Sequence, residues 1–315
     1  LLWQRFKHEI QKQSLSTIWN LEKTLLPILI QMRKKGIRVD KGKAEQLQKD
    51  FVNKEKNILQ HIKKLVGKDI DIWAARQIAW AYDKLTIEYP KTEKTGEPSF
   101  TQNWLINNNT EISKLIVQAR EINKFHNTFL SSIMKYEHKG RIHAEIQQLR
   151  NDSGGTVSGR LSMSNPNLQQ LPARSKEFGP MIRGLFLPEE GCKWGSFDYS
   201  QQEPRLVVHY ASSIQGSQEL VEAYENADAD FHQTVADICG IGRKEAKTIG
   251  LGLMYGMGKK KLATMLGLEY EEANTLINKY NHKVPFVKML SDRCMRKAND
   301  EGVIRTKLGR KCRFN

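Results

Sequence analysis

The sequence predicts an α+β fold in which helices flank one central strand region. Apolar residues recur at helical spacing near both ends of the chain, over residues 1–70 and 219–300. From residue 151 the pattern changes to turn-rich loops, followed by a predicted strand at 193–198. A chain of 315 residues also exceeds one ordinary core, so we expect two or three subdomains.

The first predicted helix lies within residues 1–70. Its apolar side chains recur from Leu21 to Met32, and we expect Pro27 to kink it. Gly36 ends the run, and residues 37–40 are predicted to be extended.

A loop region and a second amphipathic helix follow. Three breaks, Tyr89-Pro90, Thr95-Gly96 and Pro98, predict a loop over 71–111. The next helix is predicted because one face carries its apolar residues, which are Ile112, Leu115, Ile116, Ala119, Ile122 and Phe125. Residues 151–167 are predicted to be irregular.

A predicted strand, Lys193 to Asp198, leads into a helix after Ser200. Ser200 and Glu203 have the spacing of a capping box, which is the purely structural interpretation of these polar residues. In the functional interpretation, the strand end holds the Asp198 carboxylate rigidly, where it can hold Mg²⁺ against a phosphate.

A long lysine-rich helix is predicted near 243–261. Its residues Arg243, Lys247, Leu251 and Tyr255 recur every four positions and therefore share one slanting face. Cationic side chains there can meet a triphosphate, and the tyrosine ring can stack on a base. A solvated basic helix explains the charges but leaves its glycines unexplained, since each costs roughly 1 kcal/mol in a plain helix.

The composition favours a polyanionic partner. Fifty basic residues against 35 acidic ones give a formal net charge of +15, which suits phosphate binding, although many basic proteins bind nothing specific. No signal peptide and no apolar run of bilayer length is found, so we expect a soluble protein without a membrane partner. The four cysteines lie far apart and are predicted to be reduced in an intracellular protein.

Residues 198–205, Asp-Tyr-Ser-Gln-Gln-Glu-Pro-Arg, resemble motif A of the family A (DNA polymerase I-like) DNA polymerases. The resemblance implies a right-hand polymerase fold with thumb, partial palm and fingers, mostly helical with a small antiparallel palm sheet. It implies that Asp198 binds two Mg²⁺ ions, with Mn²⁺ as a substitute, and that the Tyr199 carbonyl binds one of them. Glu203 would exclude a ribose 2′-OH, and Gln201 would lie on the nucleotide side. Pro204 replaces the usual leucine, a variation associated with phage-type members.

The lysine-rich segment resembles motif B of the same family. By that resemblance Arg243 contacts phosphate and Lys247 is the general acid for the pyrophosphate leaving group. Tyr255 would stack on the template side, and Gly256 would contact DNA. Leu251 departs from the usual Phe or Tyr, which leaves its role in sugar discrimination open.

The run Asp230-Phe231-His232 resembles the family's Asp-Ile-His segment. The resemblance implies that His232 donates to a phosphate. The structural alternative is a satisfied histidine in the core, which is the commoner role of a lone histidine.

Two further segments, 156–162 and 165–172, resemble the family's Thr-x-x-Gly-Arg-Leu-Ser and Asp-Pro-Asn-Leu-Gln-Asn-Ile-Pro. The residues implied to contact primer–template DNA are Arg160, Asn167, Gln169, Lys124 and Arg310. The resemblance divides the chain into 1–19 (the trailing helix of an exonuclease-like domain, or a linker), 20–45 (leading into the palm), 46–135 (thumb), 136–212 (palm with motif A), 213–300 (fingers with motif B) and 301–315 (return to the palm).

The family's second catalytic aspartate lies in a His-Asp-Glu turn, motif C, and no such triplet occurs in these 315 residues. Asp198 alone cannot fix two metal ions about 3.5–4 Å apart, so we expect this chain alone to be inactive if nothing supplies the second carboxylate. Two interpretations stay open: motif C lies on a segment outside these residues, or the polymerase is split over two chains.

The resemblance implies a DNA polymerase that extends a primer 3′-OH with dNTPs, in the cytoplasm of a bacterial host if a phage encodes it. The alternative from a different class is a non-catalytic subunit that binds primer–template DNA. A phage-type RNA polymerase is a third hypothesis, which the presence of Glu203 disfavours.

Overall fold

A computed structural model describes residues 1–152, 154–173, 175–226 and 230–314. The α-helices of these residues are α1 (Leu2–Lys12), α2 (Ser16–Lys35), α3 (Lys41–Val66), α4 (Ala75–Lys84), α5 (Gln102–Asn108), α6 (Glu111–Lys124), α7 (Ser131–Tyr136), α8 (Phe178–Arg183), α9 (Gln202–Ala211), α10 (Gln218–Asn226), α11 (Phe231–Cys239), α12 (Arg243–Met254), α13 (Lys259–Leu266), α14 (Tyr270–Lys283) and α15 (Pro285–Glu301). The strands are β1 (Ile37–Val39), β2 (Glu137–His138), β3 (Arg141–Ile142), β4 (Glu145–Gln147), β5 (Ser162–Ser164), β6 (Phe186–Leu187), β7 (Val303–Arg305) and β8 (Lys311–Arg313). The predicted α+β class, mostly helical with small antiparallel sheets, is confirmed.

The chain divides into two compact units, one of residues 19–194 and the other of residues 1–18 with 195–315. In the 19–194 unit, an antiparallel sheet has the strand order β2-β3-β1-β6, with Ile37 opposite Ile142 and Val39 opposite Phe186. A separate hairpin pairs β4 with β5, so the stretch predicted to be irregular over 151–167 contains one strand.

Helices α3 and α6 carry the helical part of the 19–194 unit. Asp40 begins α3 by accepting a hydrogen bond from the Lys43 N–H at 2.9 Å, and Gly67 ends it in the left-handed region at φ 89°. The predicted amphipathic helix is confirmed as α6, with its five predicted core residues and the following Phe125 at most 8% exposed. A π-helical turn, Phe125–Leu130, joins α6 to α7.

The prediction of a loop over 71–111 is wrong in part, because α4 and α5 lie within it. Ile78 and Tyr82 are fully buried on one face of α4, and the Thr101 hydroxyl caps α5 by accepting from the Trp104 N–H at 3.3 Å. The breaks at Pro90, Gly96 and Pro98 do fall in irregular chain between the two helices. The prolines and the glycine therefore marked the true loop, but the helices α4 and α5 on its two sides were not predicted.

The second unit is mostly helical, from α9 to α15, with the antiparallel hairpin β7–β8 near its end. Its core is built by buried side chains of several helices, among them Val208, Phe231, Ile249, Ile277 and Phe286. None of the helices in the described ranges is both long enough and apolar enough to span a bilayer.

The predicted long helix over 243–261 is wrong, because the chain leaves the helix after Met254 and starts α13 at Lys259. Gly256 adopts a φ of 71°, in the left-handed region that an L side chain rarely enters, and Gly258 precedes α13 as an extended N-cap. The two glycines thus separate α12 from α13.

Candidate nucleotide and nucleic-acid site

The segment before α9 is irregular and open to solvent. The predicted strand over 193–198 is wrong: these residues form no strand, and each of them is exposed. A strand is held by ladder hydrogen bonds to a neighbour, and none of the strands in the described residues pairs with this segment. Phe197 is 98% exposed and Tyr199 81%, so Asp198 lies on an exposed stretch between two large aromatic rings.

The start of α9 differs from the predicted capping box. Gln201 occupies the N-cap position in the left-handed region at φ 54°, and no side chain caps the helix. The Glu203 carboxylate instead accepts a hydrogen bond from the Tyr255 hydroxyl. The capping-box prediction for Ser200 and Glu203 is therefore wrong, because the carboxylate turns to a tyrosine 52 residues further along the chain. Pro204 lies in the first turn, as expected, and is buried.

Gln201 and Arg205 connect α9 to the segments that follow. The Gln201 Oε1 atom accepts from the Phe231 N–H at 2.8 Å and from the Tyr224 hydroxyl at 3.1 Å. The Arg205 guanidinium lies 4.7 Å from the centre of the Tyr224 ring, and its Nε donates to the Ser200 carbonyl at 3.0 Å. Burial raises the pKa of Tyr224 to about 12, although the Arg205 charge opposes that shift.

Helix α12 presents the predicted cationic face. Arg243 and Lys247 are exposed one turn apart, and Leu251 is half-buried on the next turn. Tyr255 is the C-cap residue of α12, with its ring 65% exposed and its hydroxyl bound to Glu203. Gly256 follows, and an added Cβ there would meet no atom within 4 Å. The structure thus brings Glu203 to the end of the face that carries the two cations.

Arg243 is paired with Asp230, which was not among the predicted site residues. The Asp230 Oδ2 atom accepts from Arg243 Nε at 2.8 Å and from Nη2 at 2.6 Å. Its Oδ1 atom accepts from the N–H groups of His232 and Gln233 at 3.0 and 3.2 Å, so it also caps α11. An aspartate just before a helix was the available signal, since Asp is a favoured N-cap.

His232, the predicted phosphate donor, is only 6% exposed. Its Nδ1 has no hydrogen-bond partner among the described residues. Burial lowers the pKa of His232, and the nearby charges of Lys247 and Arg243 lower it further, against the opposing effect of Asp230. The imidazole is therefore kept neutral at pH 7.

Asp198 and Tyr199, which the resemblance implies to bind metal, are both exposed. No group of three or more His, Cys, Asp or Glu in the described ranges is placed to hold a metal. Mg²⁺ commonly binds one or two carboxylates together with substrate phosphates and water. A carboxylate and a backbone carbonyl, as Asp198 and Tyr199 offer, are oxygen ligands of the kind that Mg²⁺ accepts beside a bound triphosphate.

Three of the predicted DNA contacts lie together in the 19–194 unit. Asn167 caps a short 3₁₀ turn, Leu168–Gln170, by accepting from the Gln169 N–H at 3.1 Å. The Gln169 side chain donates to the Leu161 carbonyl at 3.1 Å, next to Arg160. Arg160, Asn167 and Gln169 are all exposed, so this loop cluster presents one cation and two amides to solvent.

Two of the other three predicted contacts lie on further elements, and the third, Gly256, follows the C-cap residue of α12. Lys124 is exposed at the end of α6. Arg310 is half-buried in the turn of the β7–β8 hairpin, where its N–H donates to the Thr306 hydroxyl at 3.1 Å.

Comparison with known proteins identifies the class. The family model for DNA polymerase family A matches residues 41–315. The chain belongs to this family. It is 37% identical to a DNA-directed DNA polymerase of Pseudomonas phage M6 over 98% of its length, and 30% identical to the DNA polymerase DpoZ of Acinetobacter phage SH-Ab 15497 over 99%. These relatives confirm the predicted phage-type member of family A.

The structure resembles the POL domain of Pol1 from M. smegmatis, solved in complex with DNA primer–template and dNTP. The TM-score is 0.75 at 28% identity, over 90% of this chain and 51% of that one, which confirms the polymerase fold. The chain spans about half the length of its relatives, 54% of the phage M6 polymerase and 57% of the phage SH-Ab 15497 polymerase.

Proposed function

We propose that this chain is part of a DNA-directed DNA polymerase that adds dNTPs to a primer 3′-OH and releases pyrophosphate. The observation that best supports this proposal is the hydrogen bond from the Tyr255 hydroxyl to Glu203, at the end of the α12 face that presents Arg243 and Lys247. Membership of DNA polymerase family A supports the same reaction. The phage relatives support synthesis in the cytoplasm of a bacterial host.

Each residue of this group takes one task in the proposal. Arg243 and Lys247 bind the triphosphate, and Lys247 gives a proton to the leaving pyrophosphate. Lys247 is exposed and forms no ion pair within the described part of the chain, so its ammonium group is available to an incoming anion. The exposed Tyr255 ring stacks on a base, and Glu203 occupies the space of a ribose 2′-OH.

Mg²⁺ is the proposed cofactor, and in such a reaction it stabilises the negative charge that develops on the phosphates. Asp198 and the Tyr199 carbonyl would hold the ion that accompanies the dNTP. The second catalytic carboxylate would come from polymerase sequence outside these 315 residues, on the same chain or on another.

Primer–template DNA is the proposed macromolecular partner. The loop cluster of Arg160, Asn167 and Gln169 would contact its backbone and minor groove, where hydrogen-bond acceptors are shared by all correct base pairs. The net charge of +15 favours binding to phosphates.

A primer-extension assay tests the proposal. The polymerase that carries these residues together with the second carboxylate is incubated with primed DNA, the four dNTPs and Mg²⁺, beside its Asp198→Ala and Lys247→Gln variants. Extension that both substitutions abolish supports the enzyme. Incorporation of ribonucleotides in preference to dNTPs by the unmodified chain would contradict it.

A second function, a subunit that binds primer–template DNA without catalysis, is favoured by the exposed loop cluster of Arg160, Asn167 and Gln169. It predicts binding of primed DNA without primer extension, even when the second carboxylate is supplied. Arg160→Ala should then weaken DNA binding, while Asp198→Ala leaves it unchanged.

A further inference from the structure

Asp230 joins the start of α11 to the start of α12 through one carboxylate. Its two oxygens have separate tasks, since Oδ1 caps α11 and Oδ2 accepts both hydrogen bonds from Arg243. The pair is half exposed on the arginine side, with side-chain exposures of 52% and 34% for Arg243 and Asp230. The Arg243 side chain is therefore held while part of it still faces solvent.

The carboxylate itself is well anchored. Besides the two N–H groups bound by Oδ1, the Asp230 carbonyl accepts from the Thr234 N–H at 2.8 Å. The neighbouring Phe231 N–H is held by Gln201 at 2.8 Å. An acceptor fixed by its own backbone and by a helix cap can impose an orientation on a flexible arginine.

Asp230 could either position the Arg243 guanidinium or compete with a phosphate for it, and the hydrogen bonds distinguish the two. Asp230 binds Arg243 through Nε and Nη2, which form the side edge of the guanidinium. Nη1 donates no hydrogen bond within the described part of the chain. The end edge, formed by Nη1 and Nη2, is thus the edge that remains for a phosphate, and planar guanidinium forks bind phosphate oxygens well.

We propose that Asp230 is a positioning residue that holds Arg243 with its end edge towards the triphosphate of the bound nucleotide. The inference rests on the proposed function, in which Arg243 binds phosphate. It assigns to Asp230 a contribution to nucleotide affinity without direct contact, since a carboxylate touching the triphosphate would repel it.

Simple charge counting makes the opposite prediction. Asp230→Asn removes a negative charge beside Arg243 and Lys247, and electrostatics alone would then tighten the binding of an anion. If positioning dominates, the freed arginine must be ordered on binding and affinity falls. The sign of the change therefore decides between the two.

The test measures equilibrium binding of dTTP to the full chain in Mg²⁺, on primer–template DNA whose primer ends in a dideoxynucleotide, so that no bond can form. Inorganic tripolyphosphate serves as a competitor that reports the phosphate contact alone. Asp230→Asn keeps a side-chain oxygen able to cap α11 and removes the charge. We expect it to weaken binding roughly three- to tenfold, the loss that follows from ordering one long side chain.

Asp230→Glu is the matched control, because it keeps the charge but moves the carboxylate away from the cap. Because it keeps the charge but loses the anchored geometry, it should also weaken dTTP binding, and its melting temperature should fall. The Asn variant should melt normally and bind dTTP weakly. A purely structural role would instead make binding follow melting in both variants.

Arg243→Gln separates this inference from the proposed function. It should weaken binding by itself, and adding Asp230→Asn to it should cause no further loss. Binding that Arg243→Gln leaves unchanged refutes the phosphate role of Arg243 itself. If Arg243→Gln weakens binding but Asp230→Asn tightens it or leaves it unchanged, the positioning role alone is refuted.

Discussion

The Tyr255 hydroxyl donates a hydrogen bond to the Glu203 carboxylate, which joins the end of α12 to the first turn of α9. The Tyr255 ring remains 65% exposed, so the hydroxyl and the ring of this tyrosine are available for different tasks. In the proposed reaction the ring would stack on a base while the hydroxyl fixes the carboxylate that excludes ribose.

Substitutions of this pair should separate sugar discrimination from stacking. Glu203→Ala removes the carboxylate, and we expect the affinity for rNTPs relative to dNTPs to rise about tenfold, typical of a site that loses one steric contact. Tyr255→Phe keeps the ring but removes the hydrogen bond to the Glu203 carboxylate, so its effect should have the same direction but be smaller. The measurement is the ratio of rNTP to dNTP dissociation constants on a dideoxy-terminated primer–template. A larger effect of Tyr255→Phe than of Glu203→Ala would contradict the assignment.

Local periodicity predicted the helices well but could not predict this contact. The apolar spacing of α6 places Ile116 and Ala119 in the core, because a helix of 3.6 residues per turn aligns them without further information. Glu203 and Tyr255 are 52 residues apart, and only the folded chain brings them together. Sequence resemblance named both residues, but their hydrogen bond was visible only in the structure.

The two larger errors have the same physical origin. Residues 193–198 have the composition of a strand, but a strand also needs a hydrogen-bonded neighbour, which local sequence does not specify. The basic run after Arg243 has helical composition, but Gly256 takes a left-handed φ that ends α12. Asp230 was missed because its ion pair with Arg243 spans 13 residues and two helices.

The buried hydroxyl network near α6 predicts an asymmetric mutational effect. Tyr82 and Ser113 are fully buried and hydrogen-bonded to each other, and Ser113 also donates to Asn108 at 2.7 Å and accepts from Thr110 at 2.8 Å. Ser113→Ala leaves several polar groups short of a partner and should lower the free energy of unfolding by about 1–3 kcal/mol. Tyr82→Phe leaves Ser113 with its other partners and should cost less than about 1 kcal/mol.

Urea unfolding of the two single variants and the double variant checks this prediction. The double variant should be less destabilised than the sum of the single variants, because the Tyr82 hydroxyl is then no longer left unsatisfied. Additive losses, or a larger loss for Tyr82→Phe than for Ser113→Ala, would show that the network does not contribute in this way.

Substitution by alanine should change the stability of the chain differently at three glycines in and after α12. At Gly250 an added Cβ would lie 3.5 Å from Phe231 and 3.7 Å from the Tyr280 hydroxyl, which are ordinary contacts, so Gly250→Ala should stabilise the helix by up to about 1 kcal/mol. At Gly252 the Cβ would lie 3.1 Å from the Met257 sulfur, so the gain should be smaller or reversed. Gly256→Ala should destabilise by about 1 kcal/mol because of its φ of 71°.

The melting temperatures of the three variants, each compared with that of the unmodified chain, test this predicted order of stability. Gly256→Asn is the control, since asparagine enters the left-handed region more readily than alanine and should melt higher than Gly256→Ala. Equal melting temperatures for Gly250→Ala and Gly256→Ala would contradict the assigned backbone conformations.

Stability at alkaline pH should depend on Tyr224. Burial raises the pKa of this phenol to about 12 in the folded chain, whereas an exposed tyrosine ionises near 10. Between these values the unfolded chain loses the proton first, so the stabilising contribution is complete below pH 10 and is lost as the pH rises through about 12. Tyr224→Phe removes this titration together with the hydrogen bond to Gln201. The variant should therefore be less stable at pH 8 but lose stability more slowly above pH 10.

Unfolding free energies measured by denaturant at intervals from pH 8 to pH 12 test this directly. Tyr280→Phe is the comparison, because burial raises the pKa of Tyr280 as well and its hydroxyl has no hydrogen-bond partner among the described residues. It should flatten the same alkaline slope without the loss at pH 8 that comes from breaking the Tyr224–Gln201 contact. If Tyr224→Phe leaves the slope above pH 10 unchanged, the phenol is exposed in the folded chain and the link from Gln201 to Tyr224 does not hold in solution.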